Sequence, residues 1–292
     1  MLHLATADGL LDLDETGKIV GRTLEGVDID TIAAGWAIGG GAVLPIDGGQ
    51  PVDLDGRRAT ALAVATDADD QVLVGTHDAH LLRLGDDGTV ELDETFDAVP
   101  GRERWYTPWG APPDVRSIAA NSGVLVNVHV GGVWRAEPDG RWTEVVEVDD
   151  DTHQVDRVGD AVVVAAAVGV GESHDGGDRW TWSTAGLHAS YCRAVAVSGD
   201  WLLATASTGP GTRDGRLYRR RLGDPAAPFE PTAGLRERFP FNLDTRQLAG
   251  TADERAALGT NDGELWWSDD AGAQWHVLTD ALPPIRHVVI GP

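Results

Sequence analysis

Four arginines recur at one place in a repeated pattern. Arg116, Arg193, Arg246 and Arg286 each stand two residues ahead of an Ile, Val or Leu. A guanidinium is permanently charged and planar, and it can hold a carboxylate or phosphate through two parallel N–H bonds. Positive charge is scarce here: 23 Lys and Arg face 47 Asp and Glu, and Lys18 is the sole lysine. If the four converge, they form a site for an anion. The competing use is structural pairing with aspartate. Asp30 and Asp156 occupy the same place in other copies of the pattern, and Asp114 and Asp244 lie two residues ahead of an Arg.

Two irregular segments add aromatic and basic residues. Residues 97–114 read DAVPGRERWYTPWGAPPD, with Arg102, Arg104, Trp105, Tyr106 and Trp109. Residues 223–244 end RERFPFNLD, with Arg236, Arg238, Phe239 and Phe241. Long aromatic loops on a rigid scaffold commonly carry function. Trp105 and Trp109 do not repeat elsewhere, which assigns them to an exposed binding surface. Trp134, Trp142, Trp180, Trp266 and Trp275 do repeat, which assigns them to the core. Tyr191, just ahead of Arg193, joins the candidates.

Other chemistry is weaker. His77 and His80 share a turn, and His129, His153 and His188 fall on the same side of their repeats. His77 occupies a variable position, so the expectation is a surface histidine, with no metal and no cofactor. The run from Asp12 begins like a calcium loop but has Thr23 where the closing Glu would stand, and reads as a turn. Asp149 to Asp151 reads as a solvated loop. Cys192 aligns with Ile29, Val115, Val155 and Ile285, which marks a buried, inert thiol. Glu103 and Glu237, each flanked by Arg, are the least arbitrary carboxylate pair for a hydrolase, and a solvated charge is the simpler reading.

The elements that must position these residues are short strands joined by hairpin turns. One turn has the form Ser-x-Asp-x-Gly followed by Trp: Ser173, Asp175, Gly177 and Trp180, then Ser268, Asp270, Gly272 and Trp275. A worn copy keeps Asp139, Gly140 and Trp142. Asp can accept turn N–H groups, Gly supplies φ > 0, and Trp opens the next strand. A second turn, Thr-x-Asp, starts at Thr6, Thr76, Thr212 and Thr260. Seven strand starts, at Asp30, Thr60, Arg116, Asp156, Arg193, Arg246 and Arg286, recur at roughly the 40–50-residue period of four-stranded blades. No amphipathic helix competes.

The Ser-x-Asp-x-Gly turns resemble the Asp-box (BNR) repeat of β-propellers. The resemblance implies an all-β chain, a single seven-bladed β-propeller over residues 1–292. Strands at Leu2–Ala5, Leu10–Leu13 and Lys18–Leu24 would be joined by the C-terminal strand at 285–290 to close the ring and remove a sheet edge. It also places both irregular segments on the face opposite the Asp-box turns, around the channel mouth.

A net charge of −24 and a pI near 4.5 argue against nucleic acid as a partner. The acidic, lysine-poor composition resembles the cytosolic proteins of haloarchaea, whose excess carboxylates keep the surface hydrated in molar salt. One cysteine excludes an internal disulfide. The opening residues lack a basic n-region, and the longest apolar run, Ala161 to Val170, is too short to span a bilayer, so a cytoplasmic protein off the membrane is expected. The expected function is a non-enzymatic binding or scaffold module that recognises a protein segment or an anionic small molecule at the channel mouth. The alternative is a glycoside hydrolase acting there. Sialidases, the Asp-box propellers whose carboxylate-binding arginines invite comparison, carry an Arg-Ile-Pro motif that this chain lacks, so no catalytic residue is assigned.

Overall fold

The computed structural model describes residues 1–66, 70–85 and 88–291. Its strands form seven sheets, six of four strands and one of three. Blade 1 is the three-stranded one, Ile29–Ala33, Trp36–Gly39 and Ala42–Pro45. The innermost strands of blades 2 to 6 are Ala59–Ala65, Val115–Ala119, Thr152–Val158, Val195–Ser198 and Leu248–Gly250. Blade 7 joins the two chain ends: Ile285–Ile290 pairs antiparallel with Leu2–Thr6, with Leu4 opposite Val288. The molecule is therefore a seven-bladed β-propeller closed as the pattern of strand starts implied. No helix among the described residues is long and apolar enough to cross a membrane.

Each blade is short alternating strand, so its inward side chains bury against the next blade. Two glycines show how close that approach is. A Cβ on Gly75 would lie 2.3 Å from Val115 of blade 3, and one on Gly259 would lie 2.3 Å from Ile285 of blade 7. Between blades 4 and 5 an ion pair joins the apolar contact. Arg220 and Glu172, both 2% exposed, form a buried pair, and the Gly223 N–H and His174 ring also meet the Glu172 carboxylate.

The turns divide by face. Strands alternate in direction, so the turn from third to fourth strand lies opposite the start of the innermost strand. The Ser-x-Asp-x-Gly turns of blades 4 and 6 sit there and share one hydrogen-bond plan. Ser173 Oγ donates to Asp175 (2.9 Å) and accepts from Gly177 N–H, while Trp180 Nε1 donates to Gly177 O. Ser268, Asp270, Gly272 and Trp275 repeat this at 2.8 to 3.0 Å. The Thr-x-Asp turns lie on the other face, where Thr76 and Thr260 accept the N–H groups of His80 and Glu264.

Five of the seven innermost strands start with a β-bulge. Ile29 pairs with Gly39 and Thr31 with Ile38, which leaves Asp30 unpaired. The same break isolates Thr60, Arg116 and Arg286. A bulge re-aims its extra side chain, and those of Asp30, Thr60 and Arg116 reach the channel mouth. In blade 4 the bulged residue is His153, between the pairs Thr152–Ala166 and Gln154–Ala165. This corrects the expected register there. Asp156 lies further along the strand, inside the channel, and Thr152 rather than Val155 is the counterpart of Cys192. Cys192 is fully buried, and burial pushes its thiol up to about 12.

The irregular segments differ from expectation in part. Residues 223–244 include the outermost strand of blade 5, Glu230–Pro231. Phe239, expected on the surface, is fully buried, bridges Gly215 and packs edge-on to Trp266. Trp105 is likewise only 7% exposed, covered by Phe96 and Trp134. Trp109 and Tyr106 are exposed, at 64% and 51%.

Candidate functional site at the channel mouth

Three of the bulged residues, Asp30, Thr60 and Arg116, line a cavity of about 810 Å³ at the channel mouth. Arg116, Arg193 and Arg246 line it, whereas Arg286 stands apart and meets Asp28 at 3.3 Å. Aspartates 30, 114, 151 and 244, with Tyr191 and Trp109, complete the polar and aromatic walls.

Arg246 forms the floor. Its φ of 69° is left-handed, a costly conformation for a non-glycine residue that the surroundings must impose. Its N–H donates to Gln154 Oε1 at 3.0 Å. Its Nη2 crosses from blade 6 to donate to the carbonyls of Thr60 (2.9 Å) and Arg116. Burial and the nearby Arg116 lower its pKa to about 10, so it remains a cation at neutral pH. Below it lies a second cavity of about 350 Å³, lined by Asp156 and His287.

Arg193 is paired. It donates to Asp244 and, at 3.3 Å, to the Tyr191 hydroxyl. Burial alone would lower its pKa, but Asp244 outweighs it and the net shift is upward. Arg116 is different. Its guanidinium has no hydrogen bond or ion pair among the described residues. Burial and Arg193 lower its pKa below the usual range.

Beside Arg116, two histidines that the sequence reading set aside come together. His129 Nδ1 lies 3.4 Å from Asp114 Oδ1, and its Nε2 lies 3.4 Å from Asp151 Oδ1. Burial would lower the His129 pKa, but the two carboxylates outweigh it and raise it. His153 is 0% exposed. Its Nδ1 donates to Cys192 O at 2.6 Å, and its Nε2 points to Asp151 Oδ1 at 3.7 Å. Burial and Arg116 push His153 down to about 3, so it is neutral. Trp109 stands 5.2 Å from the His129 ring and Tyr191 4.7 Å from His153. The signal for His153 was its place beside Thr152, but a polar residue where the pattern wants an apolar one hid the register.

The remaining candidates are dispersed. Arg102 stacks 4.6 Å from Trp105 and donates to Asp78 O and Ala79 O. Arg104 meets Glu144 at 3.0 Å, Arg236 pairs with Asp262 and Glu264, and Arg238 lies 3.9 Å from Glu237. Glu103 and Glu237 are exposed and line no part of the cavity. His188 contacts the Tyr218 hydroxyl at 2.9 Å, and His80 meets Asp97 at 2.7 Å.

A scan against protein-family models finds no match, and a search of the curated proteins finds none either. Among solved structures, the chain is similar to the computationally designed Ika8 protein, at TM-score 0.59 and 18% identity over 92% of this chain and 80% of that one. It is also similar to a functionally unknown protein from Desulfotomaculum acetoxidans, at TM-score 0.58 and 12% identity over 98% of each chain. A chain of the nidogen/laminin complex aligns at TM-score 0.53 and 12% identity, over 98% of this chain and 96% of that one. Identities this low speak to the fold, which all three share.

Proposed function

We propose that this propeller is a binding module whose channel mouth takes an anionic small molecule bearing a carboxylate or phosphate. One observation carries the reading: Arg116 is a deeply seated guanidinium with no ion-pair partner among the described residues, in a cavity of about 810 Å³. That volume suits a small ligand, and such sites typically fix orientation with a few polar groups. An incoming oxyanion would satisfy donors that the protein leaves open, and the exposed Trp109 face would cover the ligand's apolar part. A protein segment ending in the same group is the other occupant the chemistry allows. The turns' resemblance to Asp-box repeats agrees with a scaffold role. The net charge of −24 agrees with work in salt-rich surroundings, where screening relieves the repulsion between surface carboxylates.

The test is a thermal-shift screen in molar KCl against sugar acids, nucleotides, phosphates and dicarboxylates, with Arg116→Ala beside the parent. A ligand at 100 times its dissociation constant should add about 2.7 kcal/mol to stability. A stabilising ligand whose effect vanishes in folded Arg116→Ala supports the reading. No stabilisation across the panel, or one unchanged in the variant, overturns it. Turnover of a sugar acid in the same panel would favour a hydrolase at this mouth instead.

A further inference from the structure

We infer that His129, Asp151 and His153 form a binding site for a divalent first-row transition metal, of the zinc or cobalt type, at the side wall of the channel mouth. Their candidate ligand atoms, one from each residue, all lie within 4.8 Å of one another. His129 Nε2 and Asp151 Oδ1 are 3.4 Å apart, and His153 Nε2 and Asp151 Oδ1 are 3.7 Å apart. Donors held at about 2.0–2.2 Å from a tetrahedral ion lie roughly 3.4 Å from each other, so little movement would be needed. Two imidazoles and a carboxylate are a donor set for such metals rather than for calcium or magnesium, which prefer oxygen.

A second observation points to a ligand independently of the clustering. His153 is 0% exposed, yet its Nε2 has no hydrogen-bond partner, and neither has Asp151 Oδ1. Buried polar atoms are rarely left in that state. The outer ring nitrogens are also placed as metal-bound histidines place them. His153 Nδ1 donates to the Cys192 carbonyl at 2.6 Å, which fixes the tautomer with its lone pair on Nε2. His129 Nδ1 faces the Asp114 carboxylate at 3.4 Å, the carboxylate–histidine arrangement that orients a ligand ring. Three protein ligands leave a tetrahedral ion one open position, and Asp151 borders the same cavity as Arg116. An anion there could meet the ion and the guanidinium together.

The inference stands apart from the anion reading, because it is tested with metal alone. Untagged protein, stripped with chelator, is titrated with Zn²⁺ by calorimetry and with Co²⁺ by visible absorption. One equivalent per chain is expected, with a Co²⁺ spectrum of low coordination number. His153→Ala and Asp151→Asn should each weaken binding at least 100-fold, and Asp114→Asn about 10–100-fold. His80→Ala, at a histidine elsewhere, should bind as the parent does. Substoichiometric binding by the parent, or binding unchanged in folded His153→Ala and Asp151→Asn, overturns the inference. Should the buried variants fail to fold, a zinc-edge anomalous map of the parent decides. A peak among the three side chains supports the site, and peaks only elsewhere overturn it.

Discussion

At the residue scale, Trp105 and Trp109 show what a side chain's neighbours decide. Both lie in one irregular segment and neither repeats, so the sequence placed both at the surface. Trp105 is instead clamped between Phe96, Trp134 and the Arg102 guanidinium, while Trp109 stands 64% exposed above His129. The expected outcome follows from burial. Trp105→Ala should cost about 3–5 kcal/mol of unfolding free energy, and Trp109→Ala should stay within about 0.5 kcal/mol. Chemical denaturation of both variants checks this, and equal costs would refute the assignment. Arg116 belongs to the same scale: its identity was legible from the repeat, but its lack of a partner was not, because pairing depends on which blade supplies the nearest aspartate.

At the element scale, a bulge at the start of five innermost strands is the device that sets polar side chains at the mouth end of the channel, and Asp30, Thr60 and Arg116 line the cavity there. Five residues, Asp30, Thr60, Arg116, His153 and Arg286, sit at the same break in pairing. Arg193 and Arg246 occupy the matching places in blades 5 and 6. The blade 4 register was misread because Val155 and Asp156 mimic the apolar–polar start three residues late. Adjoining blades are held mostly by apolar contact, with the Arg220–Glu172 pair an exception at the blade 4–5 seam. Breaking a buried pair strands a charge, so Glu172→Gln should destabilise by about 3–5 kcal/mol. A double change, Glu172→Gln with Arg220→Met, should recover much of that loss. A double variant no more stable than Glu172→Gln would show that the hydrogen bonds to Gly223 and His174, rather than the pair, hold the seam.

At the scale of the whole molecule, the closed channel sets a pH dependence of stability. His287 accepts a hydrogen bond from Ile32 N–H and contacts Thr31 Oγ1 at 2.9 Å, and burial pushes it down to about 3. Its folded pKa lies below the unfolded value near 6.5. The stability it contributes is therefore complete above 6.5 and lost as pH falls toward 3. From pH 7 to pH 5 the loss is about 2 kcal/mol. Asp156 works the other way. Burial in the channel raises it to about 6, so its contribution is present below 3.8 and lost as pH rises through 6. His287→Asn should flatten the acid-side loss relative to the parent, and Asp156→Asn should steepen it. Unfolding free energies at pH 5, 6 and 7 for the three proteins check both signs, and parallel curves would refute the account.

Periodicity alone determined a good deal. Short strands at a regular spacing, with Gly and Asp at the turns, leave few ways to bury their apolar faces, and a ring of blades is the one observed. The two Ser-x-Asp-x-Gly turns and the final strand were legible because their hydrogen bonds and pairing are local, or forced by the need to cover a sheet edge. The mouth was not legible in the same way. Arg246 reaches the carbonyls of Thr60 and Arg116 across the channel, and His129 meets His153 through Asp151. The Arg246 contacts join blades far apart in the chain and exist only once the blades form a ring, while the histidine contacts need blades 3 and 4 docked side by side. Local propensity carries no information about which side chain faces which across a channel. Docking of the blades supplies it, and with it the unpaired guanidinium and the unpartnered His153 nitrogen on which the functional proposals rest.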